Sequence, residues 1–332
     1  MSNNISRKEY IDALRALAIV IVVYSHCVSG WTWFFLFIGP IMMPLFFEIS
    51  GYVFKIRDGK WTSFFINLFK RVVVPWFFLV FFPVIISSPI RPLDKTLDFC
   101  YKYLSGETLW FIPCFIYAMI IHFFIQKCML YINNHTDVWL SKVGGAILCI
   151  LCSCVGFYMC ENNILDFGMI NRAMVVQFYF ALGIIIKRME NHDFYSNISI
   201  IACVTMSYLL LVFGTHFLFP GEFIDVHLNN YFNIPYCLLL VLTGNISLFM
   251  MARYKNRFPR VTTFIGRNTL AIYLLHSWFF TAYDKLASYC TFIVTEVFWL
   301  DALFRASFAI VLSCLVAEIL NRKLPVVIGL KK

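Results

Sequence analysis

The sequence predicts an all-α, polytopic membrane protein of about ten transmembrane helices with both termini in the cytoplasm. Composition, recurring apolar runs and the distribution of basic residues predict this class. Of the 332 residues, 61% are hydrophobic and 14% are charged, and the mean hydropathy is +0.78. Soluble proteins are roughly 45–50% apolar and about 25% charged. A water-soluble fold could not hide this much apolar surface, so the bilayer must be the solvent.

Ten apolar runs of roughly 18–22 residues are long enough, or nearly so, to cross a bilayer. No linker or soluble segment separates them, so the sequence predicts a single transmembrane domain over residues 1–332. Prolines within the runs are tolerated where neighbouring helices satisfy the freed carbonyls. The predicted spans cover approximately residues 11–29, 35–54, 72–90, 109–129, 143–160, 172–187, 198–219, 232–252, 266–284 and 297–320.

The basic residues predict the orientation. With the N-terminus inside, the cytoplasmic segments hold twenty Lys and Arg residues and the outer segments hold five. This asymmetry follows the positive-inside rule and favours an even number of spans. It also explains the net charge of +9 without nucleic acid as a partner. The twelve cysteines show no disulfide-framework spacing, and most lie in apolar runs, where cysteine packs as a small hydrophobe. Cys149 and Cys152 form a CxxC, but no His or Cys cluster accompanies it, which favours packing over a redox or metal role.

The first span, "DALRALAIVIVVYSH", carries ionisable residues that are costly in hydrocarbon. Arg15 and His26 are eleven residues apart, so they lie on nearly the same helical face, separated by a rise of about 16 Å. Asp12 precedes Arg15 by three residues and can pair with it. An imidazole suits general-base chemistry, and an arginine suits phosphate or carboxylate. Taken singly, an interfacial histidine and a snorkelling arginine are the alternatives; together these residues favour a shared catalytic site.

Three further stretches carry candidate residues. In "MPLFFEISGYVF", Glu48 lies inside a span as a helix contact or proton carrier, and Ser50 begins a small, backbone-exposing step. Both are candidate acceptor-binding or site-lining residues. In "FKRVVVP", Lys70 and Arg71 are predicted at the inner end of the third span as an anion clamp or as orienting charges. Trp110 in "LWFIP" is a possible site-lining residue or an interfacial anchor.

The last two spans also contain ionisable residues. His276 lies near mid-membrane in "GRNTLAIYLLHSWFF", with Tyr273 one turn before it, and both are candidate site-lining residues. Asp301 and Arg305 are four residues apart, in the favourable order for an ion pair within one helix. We expect that pair to be structural.

Taken in order, these patches resemble acyltransferase family 3, the integral-membrane enzymes that O-acylate bacterial cell-surface sugars. The resemblance rests on Arg15 and His26 with Asp12, then on "FFEISGYVF", "VVVPW", "LWFIP" and "GRNTLAIYLLH". These motifs extend over residues 12–276. In form the chain is similar to single-domain sugar O-acetyltransferases, such as those acting on enterobacterial common antigen or fucose. Glu48 has no counterpart in the family pattern, and Thr269 stands where serine is expected.

The resemblance implies transfer of an acetyl or slightly larger acyl group from acetyl-CoA, at the cytoplasmic side, to a hydroxyl of a surface glycan or lipid-linked sugar. It implies His26 as the essential histidine, Arg15 as its partner, and a bacterial inner-membrane location. Lys70, Arg71 and Arg57 would bind the donor phosphates. No permanently bound cofactor or metal is expected, and the partners are acetyl-CoA, the sugar acceptor and membrane lipids.

A secondary transporter or flippase for a sugar-lipid or small anion is the alternative, because intramembrane charges such as Glu48 and His276 could relay protons or substrate. A scaffold subunit of a polysaccharide assembly complex is a further alternative. The acceptor sugar, an acyl-enzyme intermediate and the oligomeric state stay open.

Overall fold

The computed structural model describes residues 8–28, 30, 32–55, 61–83, 93–133, 138–190, 192–289 and 298–327. Over these residues the fold is helical, with one isolated bridge between Asp225 and Asn230 and no strand, which confirms the predicted all-α class. The main helices are α1 Glu9–Ser25, α2 Thr32–Val53, α3 Trp61–Phe81, α4 Leu93–Ser105, α5 Phe111–Asn133, α6 Val138–Glu161, α7 Ile170–Val175, α8 Gln177–Met189, α9 Ile198–Leu218, α10 Ile234–Lys255, α11 Arg260–Arg267, α12 Thr269–Tyr289 and α13 Phe298–Lys323.

Within the described ranges, seven helices are long and apolar enough to cross a membrane: α2, α3, α5, α6, α9, α10 and α13. Helices α7 and α8, with the short turn before α7, form an eighth candidate span, bent by 42°. This count is lower than the predicted ten. Helix α1 has 17 residues and two acidic side chains in its first turn, and α12 carries Asp284 and Lys285 near its end. The short length of α1 and the polar end of α12 therefore leave these two helices outside a count of long apolar helices.

Helix α1 begins at Glu9, where acidic residues favour the start of a helix. Glu9 and Asp12 lie in its first turn, where the helix dipole favours negative charge. The helix continues without a break to Ser25, and His26 closes it in a right-handed conformation. Arg15 and His26 therefore belong to one continuous helical segment, as the spacing predicts.

Helix α2 contains Pro40 and Pro44, yet it stays helical. Pro44 has no N–H to donate, so the carbonyl of Pro40 loses its intrahelical partner. The side chain of Asn245 replaces it, since its Nδ2 donates to the Pro40 carbonyl at 3.1 Å. Asn245 is fully buried, so this bond removes an orphaned acceptor from the apolar interior.

Helix α3 begins earlier than the predicted third span, and the remainder of that prediction, residues 84–90, lies outside the described residues. It contains two π-helical turns, Phe69–Val73 and Phe77–Phe81, on either side of Pro75. A proline removes one backbone donor, and a π turn lets the following amides bond five residues back. The amide of Val74 bonds in this way to the carbonyl of Phe69.

Helix α4 lies between the third and fourth predicted spans, in a stretch predicted as an outer segment. Leu93, Leu97, Tyr101 and Leu104 form an exposed apolar stripe along it. Asp98 and Lys102 form an ion pair at 2.8 Å beside the stripe. This pattern is typical of a helix that lies in the membrane interface.

The described helices pack as two compact units. The first unit contains Met1–Ile49, Arg188–Ile224 and Tyr231–Cys314, and in it α1 packs on α10, α11 and α12 while α9 packs on α10. The second unit contains Ser50–Lys187, Asp225–Asn230 and Leu315–Lys332, with α5, α6 and α7 packed together. The single domain over residues 1–332 stays a prediction.

Candidate active site

The His26 end of α1 forms a histidine pair in the first unit. The rings of His26 and His276 are stacked, with centroids 5.2 Å apart and planes 22° apart. His26 is exposed, whereas His276 is 4% exposed. The sequence placed both residues in membrane spans but gave no reason to expect them in contact, because 250 residues separate them.

Backbone contacts fix the orientation of the buried histidine. Nδ1 of His276 lies 2.7 Å from the carbonyl oxygen of Tyr273, one turn earlier in α12. A carbonyl only accepts, so Nδ1 carries the proton and Nε2 keeps its lone pair in the neutral ring. Tyr273 therefore supports the pair through its backbone, and its buried ring lies 5.8 Å from that of His276.

A charged cluster is separated from the histidine pair by the ring of Phe280. Phe280 contacts the ring of His276, and the guanidinium of Arg305 lies 4.9 Å from the Phe280 ring centroid. Arg305 pairs with Asp284 at 2.5 Å, and the hydroxyl of Tyr283 donates to Asp301 at 2.8 Å. The predicted pairing of Asp301 with Arg305 is therefore wrong, because partners on α12 compete successfully for both side chains.

The other end of α1 is organised around Asp12, whose side chain is 1% exposed. Its carboxylate lies 3.7 Å from Nη1 of Arg15 and accepts from Nε of Arg267 at 3.3 Å. The predicted proximity of Asp12 and Arg15 is confirmed. Arg267 is an additional partner of Asp12.

Close packing brings Arg267 to Asp12. The carbonyl oxygen of Asp12 occupies the space that a Cβ at Gly266 would fill. Only glycine at position 266 allows α11 to approach the backbone of α1 this closely. The "GRN" sequence thus supplies both the close approach and the cation that uses it.

The face of α1 between Arg15 and His26 is covered by protein. Ala18, Ile19 and Val22 lie on this face, and each is at most 2% exposed. The two polar residues are therefore joined by a buried apolar strip of one helix.

The predicted donor-binding residues lie in the second unit, apart from Arg57, which is outside the described residues. Lys70 and Arg71 were predicted at the inner end of the third span, and this position relative to the membrane stays a prediction. They occupy the middle of α3, in its first π turn, and both are exposed. Neither has an ion-pair partner among the described residues. Two adjacent cations in an apolar helix are costly in lipid unless water or an anion faces them.

Trp110 lies in an aromatic and polar cluster of the second unit. Its ring stacks on His227, with centroids 5.3 Å apart and planes 13° apart. Asp225 holds the loop by accepting from the amides of His227 and Leu228. The pKa of His227 is lowered, mainly by burial and further by the charge of Arg172, while Asp225 opposes the shift.

Ser50 and Glu48 lie on either side of the boundary between the units. Ser50 is half-buried, and its neighbour Gly51 packs directly against the backbone of Phe180. Glu48 is fully buried, neither of its carboxylate oxygens has a hydrogen bond of good geometry, and Asn245 is its polar neighbour. Access of substrate to Glu48 would require the surrounding helices to move.

The second unit also contains a buried histidine that sequence reasoning missed. His122 of α5 is fully buried, lies 3.3 Å from Oε1 of Gln177 and contacts the ring of Phe180. The signal in the sequence was a polar, titratable residue inside a long apolar run, which indicates a buried functional or structural histidine.

The fold is helical with several membrane-spanning elements, and α1 carries ionisable residues at both ends, one of them in a histidine pair. These features define a polytopic membrane protein with a candidate site for proton transfer. The family model described as the acyltransferase domain matches residues 8–319, nearly the whole chain. The chain therefore belongs to acyltransferase family 3 and is a multi-pass membrane acyltransferase. Comparison with curated proteins and with solved structures gives no match.

Proposed function

We propose that this acyltransferase transfers an acetyl group from acetyl-CoA to a hydroxyl of a cell-surface or lipid-linked sugar at a bacterial inner membrane, with His26 as the general base. The observation that carries the proposal is the stacked pair of His26 and His276 at the end of α1. An exposed imidazole beside a buried one combines access for a substrate with a fixed orientation.

In the proposed reaction, His26 accepts the proton of the acceptor hydroxyl while the hydroxyl oxygen attacks the thioester carbonyl. The carbon–sulfur bond then breaks, the acetyl group stays on the sugar oxygen, and the coenzyme A sulfur leaves with a proton returned from His26. The neutral ring of His276 lies parallel to His26 and can stabilise the imidazolium that forms between these steps.

The donor is proposed to approach from the opposite end of α1. The rise of about 16 Å between Arg15 and His26 is comparable with the length of the phosphopantetheine arm. Ala18, Ile19 and Val22 along this strip are covered by protein, so the arm can bind only if the covering side chains move. Arg15 would orient the donor, through a phosphate or the acyl carbonyl, while Asp12 holds its guanidinium.

Lys70 and Arg71, with Arg57, are proposed to bind the donor phosphates. The exposure of Lys70 and Arg71 within an apolar helix supports this role, because an anion would compensate their charges. The change Lys70→Gln with Arg71→Gln should raise KM for acetyl-CoA and leave kcat nearly unchanged. An unchanged KM would remove these residues from the donor site.

The acceptor is proposed to bind beside the histidine pair. Asp284 and Asp301 supply carboxylate oxygens that accept from sugar hydroxyls, and the Arg305 guanidinium is held between Asp284 and Phe280. Ser50, Trp110 and Tyr273 are each proposed as site-lining residues. A proton-carrier role for Glu48 would belong to the transporter alternative, which the family membership disfavours.

The decisive test is acetyl-CoA-dependent ester formation in isolated membranes. His26→Asn should lower the rate by about 10²–10⁴-fold, the usual contribution of a general base. His192→Asn, in an exposed loop of the same unit, is the matched control and should retain activity. Full activity of His26→Asn would refute the mechanism, and gradient-driven movement of unmodified sugar would indicate a transporter.

Two measurements identify the chemistry. Mass spectrometry of surface glycans from matched strains with and without the gene should show a difference of one acetyl unit, and fragmentation should locate the sugar. Rapid-quench labelling with radioactive acetyl-CoA separates direct transfer from an acyl-His26 intermediate, because only the second route labels the protein.

A further inference from the structure

Two adjoining cavities lie at the Glu9 end of the first unit, on either side of α11. The first, of about 480 Å³, is lined mainly by apolar side chains of α1, α10 and α11. The second, of about 590 Å³, is lined by residues that include Glu9, Arg260 and Arg267. Phe258 lines both cavities, so they meet at the N-terminal end of α11.

The apolar cavity does not face the proposed catalytic strip. On α1 it contacts Ala13, Leu14, Ala16, Leu17 and Val20. At about 100° per residue Ala13, Leu17 and Val20 point roughly opposite to Arg15, and the other two side chains flank them. Leu17 and Val20 are each 38% exposed, which is typical of a helix face in contact with lipid. A ligand in this cavity would therefore lie on the bilayer side of α1 and away from His26.

The second cavity is cationic. Arg260 has no ion pair among the described residues, and Arg267 shares its charge with Asp12. Lys255 lines the apolar cavity and lies 5.3 Å from the Phe258 ring centroid, at the junction. The opposing charge is Glu9, whose carboxylate accepts from the amide of Phe258 at 3.3 Å. Because Asp12 balances Arg267, the junction presents Lys255 and Arg260 against the one engaged carboxylate of Glu9, and this excess of positive charge favours an anionic ligand.

We propose that these cavities bind one anionic glycerophospholipid. Its phosphate would lie between Arg260 and Lys255, its glycerol beside Phe258, and one acyl chain in the cavity along α1. Lipid is the occupant that the structure favours, because the apolar cavity lies on a face with exposed aliphatic side chains and the adjoining charges match a phosphate. Basic pockets beside transmembrane helices bind anionic lipid headgroups in this way. The lipid would hold α11 against α1 and so maintain the contact between Arg267 and Asp12.

The test measures lipid retained by the full chain after purification in mixed micelles of phosphatidylglycerol and phosphatidylcholine, by native mass spectrometry. The wild type should retain phosphatidylglycerol selectively. Lys255→Gln with Arg260→Gln should weaken binding by about thirtyfold, since each basic residue near an anionic lipid contributes roughly fivefold. Arg322→Gln with Lys323→Gln, at the end of α13, removes the same charge as a control and should not change retention.

A second variant tests the apolar cavity without removing charge. Val20→Trp should fill the cavity and lower retention, whereas Met206→Trp, at an exposed position of α9, should not. Equal retention by all variants would overturn the proposal. Two other results would assign the cationic cavity to the donor and also overturn the lipid proposal. One is displacement of the lipid by free coenzyme A. The other is a raised KM for acetyl-CoA in Lys255→Gln with Arg260→Gln while lipid retention is unchanged.

Discussion

Replacement of Gly266 by alanine tests whether close packing of α11 on α1 positions the cations around Asp12. A methyl group at position 266 would overlap with the Asp12 carbonyl oxygen, a backbone atom that no rotamer change can remove. Restoring van der Waals contact requires the helices to part by on the order of 1.5 Å. The distance from Arg267 Nε to Asp12 Oδ2, now 3.3 Å, would then exceed hydrogen-bond range.

The expected cost of Gly266→Ala is about 1–3 kcal/mol of stability for overpacking. It is reduced by the roughly 0.5–1 kcal/mol that alanine gains over glycine in a helix. Thermal unfolding in detergent measures the stability, and acetylation by the same samples measures whether the site is disturbed. We expect a lower melting temperature together with lower activity.

Gly145→Ala in α6 is the matched control. A Cβ there meets the end of the Gln126 side chain at 3.3 Å, and this flexible group can move. Gly145→Ala should therefore be neutral or stabilising. If Gly266→Ala unfolds at the wild-type temperature or above, like Gly145→Ala, the inferred close packing is incorrect.

Three further predictions concern single polar residues. Asp12→Asn removes the charge that holds Arg15, so the rate of acetylation should fall by about a hundredfold. The thermal unfolding temperature should change less than it does for Gly266→Ala. Unchanged activity would contradict this role of Asp12. Asn245→Leu leaves the Pro40 carbonyl without a donor and should lower stability by about 1–3 kcal/mol, which thermal unfolding checks. The pKa of His227 is lowered in the folded protein, so the fold favours the neutral form of its ring. The stability that this residue confers should therefore be full above about pH 6.5 and should be lost as the pH falls below that value. Hydrogen exchange of residues 225–230, corrected for intrinsic rates, should therefore show less protection at acidic pH, and His227→Gln should remove the difference.

The sequence predicted what depends on helical periodicity. The shared face of Arg15 and His26 follows from their spacing of eleven residues, and the unbroken α1 bears it out. The rule that oppositely charged residues four apart on a helix form a pair failed where another helix supplied competing partners. Asp301 and Arg305 have the spacing of an intrahelical pair, yet α12 supplies Tyr283 and Asp284 as their partners.

Span boundaries could not be predicted wherever polar residues lie inside a helix. The stretch "WTSFFINLFKRVV" contains enough polar side chains to resemble a membrane edge, but π turns continue the helix through Lys70 and Arg71. Helix α4 was missed for a related reason, because its charged residues hide an apolar stripe that appears only at helical spacing.

The partners at both ends of α1 come from one stretch of the chain, residues 267–276. Arg267 meets Asp12 and His276 meets His26, so α1 and α12 run in the same direction. The contacts are fourteen residues apart on α1 and nine residues apart along the second stretch. At 1.5 Å per residue these are rises of about 21 Å and about 13.5 Å. The long Arg267 side chain and the helix break at Asn268 can span the difference. A displacement of α11 should therefore reach both ends, which is why Gly266→Ala is expected to reduce activity through the histidine pair as well as through Arg15.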